Sequence, residues 1–304
     1  MYLNTYPFKI CRSCSKSDVK KTPMAQRYCY SINSTIGVKK NDKQSYNKKE
    51  ICPHLKFGNS MCNTKVNKYQ VVEAILYRLK TGCQWRELPM KQFFRTAYKW
   101  NSVYYHFQKW SKDGSWEKVW QAVLEEYKHL LDLSSIQLDG THTPAKRGGE
   151  AVGYQGRKKC STSNLLIIAD NQGIPLACSE PVSGNHNDAY NLVDTTDKMF
   201  SNIKASGIRT DGLFLNADAG FDVSEFRQYC MQNEIIDNID MNKRNGCESE
   251  NIFDEMLYKC RFVIERTNAW LDAFKALLVR FETNKYHWKA LHLLAFSVIL
   301  LRQL

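Results

Sequence analysis

The sequence lacks an apolar run long enough to cross a membrane. Its longest such run, LHLLAFSVILL, contains His292 and is about half of the ~20 residues that a spanning helix needs. Residues 1–30 contain no continuous apolar stretch of the kind that a secretory signal requires. We therefore expect no membrane partner and a cytoplasmic location.

Regular cysteine spacing is also missing. The chain has 11 cysteines, an odd number without the pattern of a disulfide framework, so free thiols in a reducing compartment are the simplest account. Cys11 and Cys14 form a CxxC pair, and Cys52, His54 and Cys62 follow. No second close ligand pair lies at zinc-finger spacing, which disfavours a zinc site without excluding it.

Acidic residues are scarce at the start of the chain. Residues 1–68 hold 14 Lys and Arg against 3 Asp and Glu, and this segment carries almost all of the formal net charge of +12. Residues 1–50 also lack periodicity, so we predict a basic, largely irregular arm that contacts phosphate backbones. A solvated tail without a partner is the alternative.

Residues 51–130 are predicted to form a small helical domain. Apolar residues recur at helical spacing from Val71 to Leu79, and Gly82 ends that helix. Two further amphipathic segments follow, both rich in Trp, Tyr and Phe. Several short helices joined by tight turns are typical of a helix-turn-helix domain that binds DNA. The aromatic residues are better explained as core than as base contacts, and Lys99 is among the cations placed to face phosphate.

Residues 131–304 change to strands that alternate with helices. The segments SSIQLDGT, NLLIIADNQG, IPLACSEPVSG, GLFLNADAG and EIIDNIDMN have strand character, and the second and third should pair as a hairpin. Residues 254–275 are predicted to form one long helix. The pattern predicts an α/β domain with a mixed sheet flanked by helices.

Three carboxylates in this domain stand in settings that suit metal chemistry. Asp139 and Asp218 each end an apolar strand and precede small residues, while Glu265 lies within the long predicted helix. Carboxylates at strand ends and on a nearby helix can converge on one pocket, and such oxygen ligands suit Mg²⁺. Combined with the basic arm, they indicate an enzyme that cuts and joins nucleic acid by two-metal chemistry.

Each carboxylate also has a structural alternative. Either aspartate alone could cap a turn or helix, and the polar face around Glu265 could be a solvated surface. Asp188, Asp211 and Asp222 compete for the same role, whereas Asp170 is interpreted as turn chemistry. The helix face predicted to carry Glu265 comprises Tyr258, Arg261, Glu265, Asn268, Asp272 and Lys275.

The motifs LDGTH, NADAGFD and YKCRFVIERTNAWLDAFKAL, together with the intervening YQGRKKCSTSNLLIIADNQGIPLACSEPVSGNHNDA, resemble the DDE transposases of bacterial insertion sequences. Among these transposases, the sequence resembles those of insertion-sequence family five most. The segment YQVVEAILYRLKTGCQWRELP is similar to the N-terminal helical domain of that group. The resemblance covers about residues 50–304 and implies a ribonuclease-H-like catalytic fold.

The resemblance also implies roles for individual residues. Asp139, Asp218 and Glu265 become the catalytic, metal-binding triad, with Mg²⁺ as the metal and Mn²⁺ as a substitute. Tyr258 and Arg261 match the helix signature of the family, but Asp272 stands where the family has a basic residue. Lys275, Lys158 and Lys159 are then expected to contact DNA, and His186 is expected to be structural because Mg²⁺ prefers oxygen.

The resemblance implies a DNA transposase that cleaves element ends and joins them to target DNA. Its expected partners are double-stranded DNA and a second copy of the chain, in the nucleoid. A nuclease without strand transfer and an inactive DNA-binding derivative are the alternatives.

Overall fold

The computed structural model describes residues 50–57, 66–241 and 253–304. The predicted arm, apart from Glu50, lies outside the described residues, and so do Cys11, Cys14 and Cys62. Cys52 is described and is a buried cysteine in a short 3-10 turn, Cys52–His54.

Between residues 66 and 130 the structure describes four α-helices: α1 (Lys68–Thr81), α2 (Met90–Phe93), α3 (Trp100–Lys112) and α4 (Ser115–Tyr127). Asn67 begins α1 with a capping box that Gln70 completes, and Gly82 ends it in the left-handed conformation, at φ 67°. A side chain at Gly82 would clash with the Lys275 backbone, which it would approach to 2.9 Å.

The aromatic residues of α3 and α4 belong to the core, as the sequence interpretation favoured. Phe107, Trp110, Trp116 and Trp120 are buried. The rings of Trp110 and Trp116 meet edge to face with centroids 5.4 Å apart. Tyr105, by contrast, is 60% exposed on α3.

Within the described part of the chain the sheet has seven strands: β1 (Ile136–Pro144), β2 (Gly153–Gln155), β3 (Cys160–Asp170), β4 (Pro175–Cys178), β5 (Val182–Ser183), β6 (Phe214–Ala217) and β7 (Ile236–Ile239). The order along the main path is β2-β3-β1-β6-β7, and β4 and β5 also pair with β3. β3 is antiparallel to β1, whereas β6 is parallel to β1 and β7 is parallel to β6.

This topology is the predicted ribonuclease-H-like mixed sheet. A central first strand is flanked by an antiparallel hairpin on one side and by two parallel strands on the other. All five predicted strands are present, and the hairpin of β3 with β4 pairs as expected. The short strand β2 has no counterpart in the sequence prediction, because Gly153–Gln155 is too short to show an alternating pattern.

Helix α5 (Leu192–Ala205) packs against β4, and helix α6 (Ser224–Gln232) packs against β7. Helix α10 (Lys285–Leu301) is buried along nearly its whole length. α10 packs against α3, α4 and β4. The side chain of Lys289 on α10 reaches Glu117 on α4 and Glu180 after β4, at 2.6 and 2.5 Å. No helix among the described residues is long and apolar enough to cross a membrane.

The single helix predicted for residues 254–275 is wrong. The segment divides into α7 (Glu255–Tyr258), a 3-10 turn (Lys259–Phe262), α8 (Val263–Asp272) and α9 (Lys275–Leu278). Asn216 of β6 donates to the Leu257 carbonyl and so competes with the regular helical bonds at this point. Periodicity did not reveal the break because the competing amide comes from a distant strand.

Candidate active site

Two of the predicted ligands lie at the same level of neighbouring strands. In the parallel pairing of β1 with β6, Ile136 lies opposite Leu215 and Gln137 opposite Asn216. The same offset continued past the ends of these pairs places Asp139 level with Asp218. Their backbones therefore bring the two carboxylates to one edge of the sheet, as parallel strands do.

The side-chain amides of Gln137, Asn216 and Asn238 form a hydrogen-bonded row next to this edge of the sheet. Asn216 Nδ2 donates to Gln137 Oε1 at 3.0 Å, and Asn238 Nδ2 donates to Asn216 Oδ1 at 2.8 Å. Asn238 also donates to the carbonyl of Asp254, which caps α7. Because residues two apart in a strand share a face, Gln137 places this row on the same face as Asp139. The amides fasten α7 to that face.

Asp139 is a partly buried carboxylate whose loss of hydration is incompletely compensated. Burial raises its pKa to about 6, and the neighbouring Asp218 and Asp188 carboxylates act in the same direction. The Gly140 N–H and the Arg261 guanidinium lower the pKa but do not offset burial. A buried site that gathers several carboxylates favours a bound cation.

Asp218 has a structural partner as well as a place at this edge. Its Oδ1 accepts from the Gly220 N–H at 2.9 Å and caps the 3-10 turn Ala219–Phe221. The capping alternative considered for this residue is therefore realised. It fixes the rotamer of the carboxylate beside Asp139, which is compatible with a ligand role.

Tyr258 and Arg261 approach the pair from α7 and the following turn. The Arg261 guanidinium lies over the Tyr258 ring, 5.8 Å from its centroid, and its charge acts on Asp139. Burial raises the pKa of Tyr258, whose hydroxyl also feels Arg261, Asp240 and Asp218. These contacts place the two signature residues beside the acidic pair.

Glu265 differs from the two aspartates because it is exposed on α8. The 3-10 turn before α8 advances 120° per residue instead of 100°, so its four residues accumulate roughly 80° of extra rotation. The α-helical spacing that predicted one face for Tyr258, Arg261 and Glu265 is therefore interrupted by this turn. Across the described residues, no three His, Cys, Asp or Glu side chains are grouped closely enough to hold a metal ion. The triad as a whole stays a prediction.

The structure instead brings Asp188 towards β1. Its carboxylate accepts from Asn164 Nδ2 at 2.7 Å and lies 3.6 Å from His142 Nε2. A Cβ added at Gly140 would come within 2.2 Å of Asp188 Oδ1, so glycine is needed there. Although burial raises the pKa of Asp188, the hydrogen bonds from His142 and Asn164 keep it below its ordinary value.

Two of the predicted DNA-contacting lysines lie near Asp272. Burial raises the pKa of Asp272, and the charges of Lys275 and Lys158 act against that rise. Lys158 Nζ donates to the His142 carbonyl at 2.5 Å. Lys275 lies on α9, a separate short helix, so the expectation that it shares a helix face with Glu265 is wrong. Lys159, at φ 50°, and Lys99 are exposed.

The other competing aspartates have structural partners. Asp222 pairs with Arg227 at 2.8 Å, and Asp211 pairs with Arg209. Asp170 accepts from the backbone N–H groups of its own turn, as predicted. The expected structural role of His186 agrees with its position, because its ring stacks on Tyr190 with centroids 3.7 Å apart.

Sequence reasoning undervalued Asp188 and did not consider His142. Asp188 lies in the loop GNHND, 49 positions after Asp139 and without strand character. Its approach to Gly140 depends on the pairing of β5 with β3. The usable signal was the glycine directly after a strand-end aspartate, since glycine marks a close approach of other atoms.

Two family models match the chain. A transposase model of the IS4/5 family matches residues 49–120, and a DDE superfamily endonuclease model matches residues 138–302. The second match covers more than half of the chain. The comparison with curated protein sequences found no match.

The chain also aligns with solved structures of transposases. A piggyBac transposase synaptic complex with hairpin DNA aligns at a TM-score of 0.49 and 10% identity, covering 85% of this chain and 71% of that chain. The Mos1 transposase paired-end complex with left transposon end aligns at 0.28 and 12%, covering 92% and 87%. The family matches, and not these superpositions, carry the assignment.

Proposed function

Because the chain belongs to the DDE superfamily of endonucleases and is a transposase of IS4/5 type, we propose that Asp139, Asp218 and Glu265 are the residues with which it cleaves element ends and joins them to target DNA. The observation that carries this proposal is the pair of aspartates level with each other at one edge of the sheet. The amide row beneath them and Arg261 beside them complete the edge.

Enzymes of this superfamily depend on a divalent metal, and the acidic edge fits such an ion in donor chemistry. Asp139 and Asp218 offer carboxylate oxygens, which Mg²⁺ prefers, and the raised pKa of Asp139 reflects charge that a cation would neutralise. Glu265 would complete the set after rotation of α8 or its side chain. Metal bound there would activate the attacking oxygen and stabilise the leaving oxygen of the phosphodiester. We propose Mg²⁺, with Mn²⁺ as a substitute.

The surrounding cations then position the DNA. Arg261, held over the Tyr258 ring, can offer two N–H groups to one phosphate. Lys158 and Lys275 contribute point charges around Asp272, and the exposed Lys159 and Lys99 are further candidates for phosphate contacts. Phosphate contacts of this kind fix the register of the duplex and carry no sequence information.

Specific recognition is assigned to the helices within residues 51–130, and non-specific affinity to residues 1–50. Rigid helices can place side chains in a major groove, whereas a basic segment mainly neutralises phosphates. Two copies of the chain would hold the two element ends together in the nucleoid. Removing residues 1–45 should flatten the salt dependence of DNA binding and leave the preference for element ends.

The decisive experiment is cleavage of duplexes that carry the sequences flanking the gene, with Mg²⁺ and with EDTA. Asp218→Asn and Glu265→Gln should each lower cleavage by at least the ~100-fold that loss of a metal-site residue can cost. Glu225→Gln, an exposed glutamate on α6, is the matched control. Full cleavage by Glu265→Gln would remove that residue from the triad.

The same assay separates the alternative functions. A plain nuclease would release element ends but would not join them to a second duplex. An inactive derivative would bind the duplexes without cutting. The two aspartates level with each other at the acidic edge favour the transposase over the inactive derivative.

A further inference from the structure

The amide row of Gln137, Asn216 and Asn238 is buried in the parallel side of the sheet. Gln137 of β1 lies in register with Asn216 of β6, and Asn216 lies in register with Asn238 of β7. Their exposed fractions are 0%, 0% and 2%. Burying a polar side chain costs free energy unless its hydrogen bonds are made, and an apolar side chain would avoid that cost. Three buried amides side by side therefore indicate a role that apolar residues cannot fill.

The hydrogen bonds of the row lead to the segment that begins at Asp254. The Asp254 N–H donates to Asn238 Oδ1 at 2.8 Å, and Asn238 Nδ2 donates to Asn216 Oδ1 at 2.8 Å. Asn216 Nδ2 donates in turn to Gln137 Oε1 at 3.0 Å. The Nδ2 groups of Asn238 and Asn216 also donate to the carbonyls of Asp254 and Leu257, each at 3.0 Å. Both asparagines therefore join the sheet to the backbone of α7.

The segment held in this way has no buried side chain. Neither α7 nor the 3-10 turn Lys259–Phe262 contains a buried residue, and Met256 and Phe262 are 78% and 66% exposed. A helix of four residues is not stable by itself. Apolar anchoring resumes only at Val263 and Ile264, which are buried at the start of α8. The core thus fixes one end of the segment, and the two asparagines fix the other.

The same segment carries the residues that approach the acidic edge. The ring of Tyr258 lies 5.0 Å from that of Phe253, between centroids, and the Arg261 guanidinium lies over Tyr258. These contacts are local to the segment, so they do not fix its place on the sheet. The charge of Arg261 nevertheless acts on Asp139. A displacement of α7 from β6 and β7 would therefore move Arg261 away from Asp139.

We propose that Asn216 and Asn238 are positioning residues for DNA cleavage, which hold residues 254–262 against the sheet and so place Arg261 beside Asp139. The proposal rests on the function proposed above and adds two residues that touch neither metal nor DNA. They act through the backbone of residues 254–257, because both side chains are buried. Loss of either asparagine should remove the contribution of Arg261 and leave the aspartates in place.

The first test needs neither DNA nor metal. Hydrogen exchange of the full chain, measured by mass spectrometry, should be about tenfold faster over residues 254–262 in Asn238→Ala, since the hydrogen bonds that hold this segment are lost. Exchange in α10 should not change. Asn202→Ala is the matched control, because Asn202 accepts from Gln121 at 3.2 Å and joins α5 to α4 far from this segment in sequence. It should leave exchange over residues 254–262 unchanged.

A second variant separates anchoring from folding. Asn238→Ala leaves Asn216 Oδ1 buried without its donor, which lowers stability. The triple variant Gln137→Met, Asn216→Leu and Asn238→Leu replaces the whole row by apolar side chains of similar shape, and such a replacement is close to neutral for folding. It should unfold in one cooperative transition and still exchange about tenfold faster over residues 254–262. Exchange as slow as in the unchanged chain would overturn the proposal.

The second test is a double-mutant cycle with Arg261 in the cleavage of element ends. Asn238→Ala and Arg261→Ala should each lower the cleavage rate per folded molecule roughly 10- to 100-fold, because a small misplacement of a positioned group has effects of this size. The combined variant should be no slower than Arg261→Ala alone, since the asparagine acts through the arginine. A general effect on stability would instead multiply the two losses.

The results distinguish the two proposals. If the unchanged chain cleaves DNA but exchange over residues 254–262 is the same in both asparagine variants, or if the losses in the cycle multiply, the positioning role is wrong and the transposase activity stands. Faster exchange in these variants, without any cleavage by the unchanged chain, would support the anchoring of the segment and overturn the catalytic proposal.

Discussion

Two aspartates of the β1–β3 pair, one at its end and one in its middle, provide a direct comparison. Asp170 ends β3 opposite Ile136, and Asp139 lies three residues further along β1, opposite Ile167. Burial raises the pKa of both carboxyl groups to about 6. Both groups therefore lie in the same strand pair and lose hydration on folding. They differ in the hydrogen-bond donors that compensate for this loss.

Asp170 is satisfied by backbone donors. Its Oδ1 accepts from the N–H groups of Gln172 and Ile174 at 2.9 and 2.7 Å, and its Oδ2 accepts from that of Asp132 at 2.9 Å. Asp139 has the Gly140 N–H and the more distant charge of Arg261, while two further carboxylates oppose it. The turn after β3 uses Asp170 as an internal acceptor, whereas the acidic edge leaves Asp139 available to an external cation.

The largest expected difference between them is in catalysis. Asp139→Ala should lower cleavage of element ends at least ~100-fold, because it removes a proposed metal ligand. Asp170→Ala should leave the activity per folded molecule within a few-fold of the unchanged chain. Cleavage rates normalised to the folded fraction measure both. Equal losses would mean that Asp139, like Asp170, acts through the fold.

The second expected difference is in stability, where the substitution of Asp170 should have the larger effect. Asp170→Ala leaves three backbone N–H groups without their acceptor and should destabilise the protein by about 2–4 kcal/mol, since each buried unpaired group costs 1–3 kcal/mol. Asp139→Ala should change stability by less than about 1 kcal/mol. Denaturant unfolding of both variants at one pH gives the comparison. A larger loss for Asp139→Ala would contradict it.

A smaller effect concerns pH. The pKa of Asp139 is about 6 in the folded protein and about 3.9 in the unfolded chain. Ionisation of this group therefore lowers the free energy of unfolding above pH 6, and it has no effect at a pH below both pKa values. Asp139→Asn removes this cost and should stabilise metal-free protein by about 1–2 kcal/mol at pH 7.5. The gain should vanish towards pH 4. Thermal unfolding in EDTA across this range checks the sign, and a gain that grows as pH falls would refute it.

The smallest expected effect is at Asp272, a third carboxyl group whose pKa burial raises. Unlike the other two it is exposed, and it faces Lys275 and Lys158. Asp272→Lys should tighten binding to any duplex several-fold and steepen its salt dependence, because one more phosphate can be neutralised. Salt titrations on element ends and on random DNA measure this effect. Asp254→Asn is not a suitable control, because Asp254 caps α7. A gain on element ends alone would assign Asp272 to base recognition.

Much of the fold was predictable from local sequence signals. Val71 to Leu79 with Gly82 gave α1, and the apolar runs before Asp139 and Asp218 gave β1 and β6. The family resemblance then supplied the order in which the strands pair. Short elements without a full period, such as β2, were not predictable.

The site was less predictable than the fold, because its decisive contacts join distant residues. Helical spacing placed Glu265 with Arg261, but the 3-10 turn that contains Arg261 interrupts this spacing. Nothing local in GNHND indicated that Asp188 would contact Gly140. Side chains that cross from one element to another determine these positions, and such contacts have no periodic signal.

The burial of α10 also has a kinetic consequence. Lys289 of α10 and Glu117 of α4 form their contact across 172 positions of sequence, and Trp120 meets Phe296 in the same interface. Contacts between such distant segments require a large loop to close before they stabilise anything, and they slow folding. The helices before the sheet therefore remain an incomplete assembly until α10 docks. During that interval their tryptophan-rich surface is open to aggregation, so chaperone demand should be governed by α10 docking.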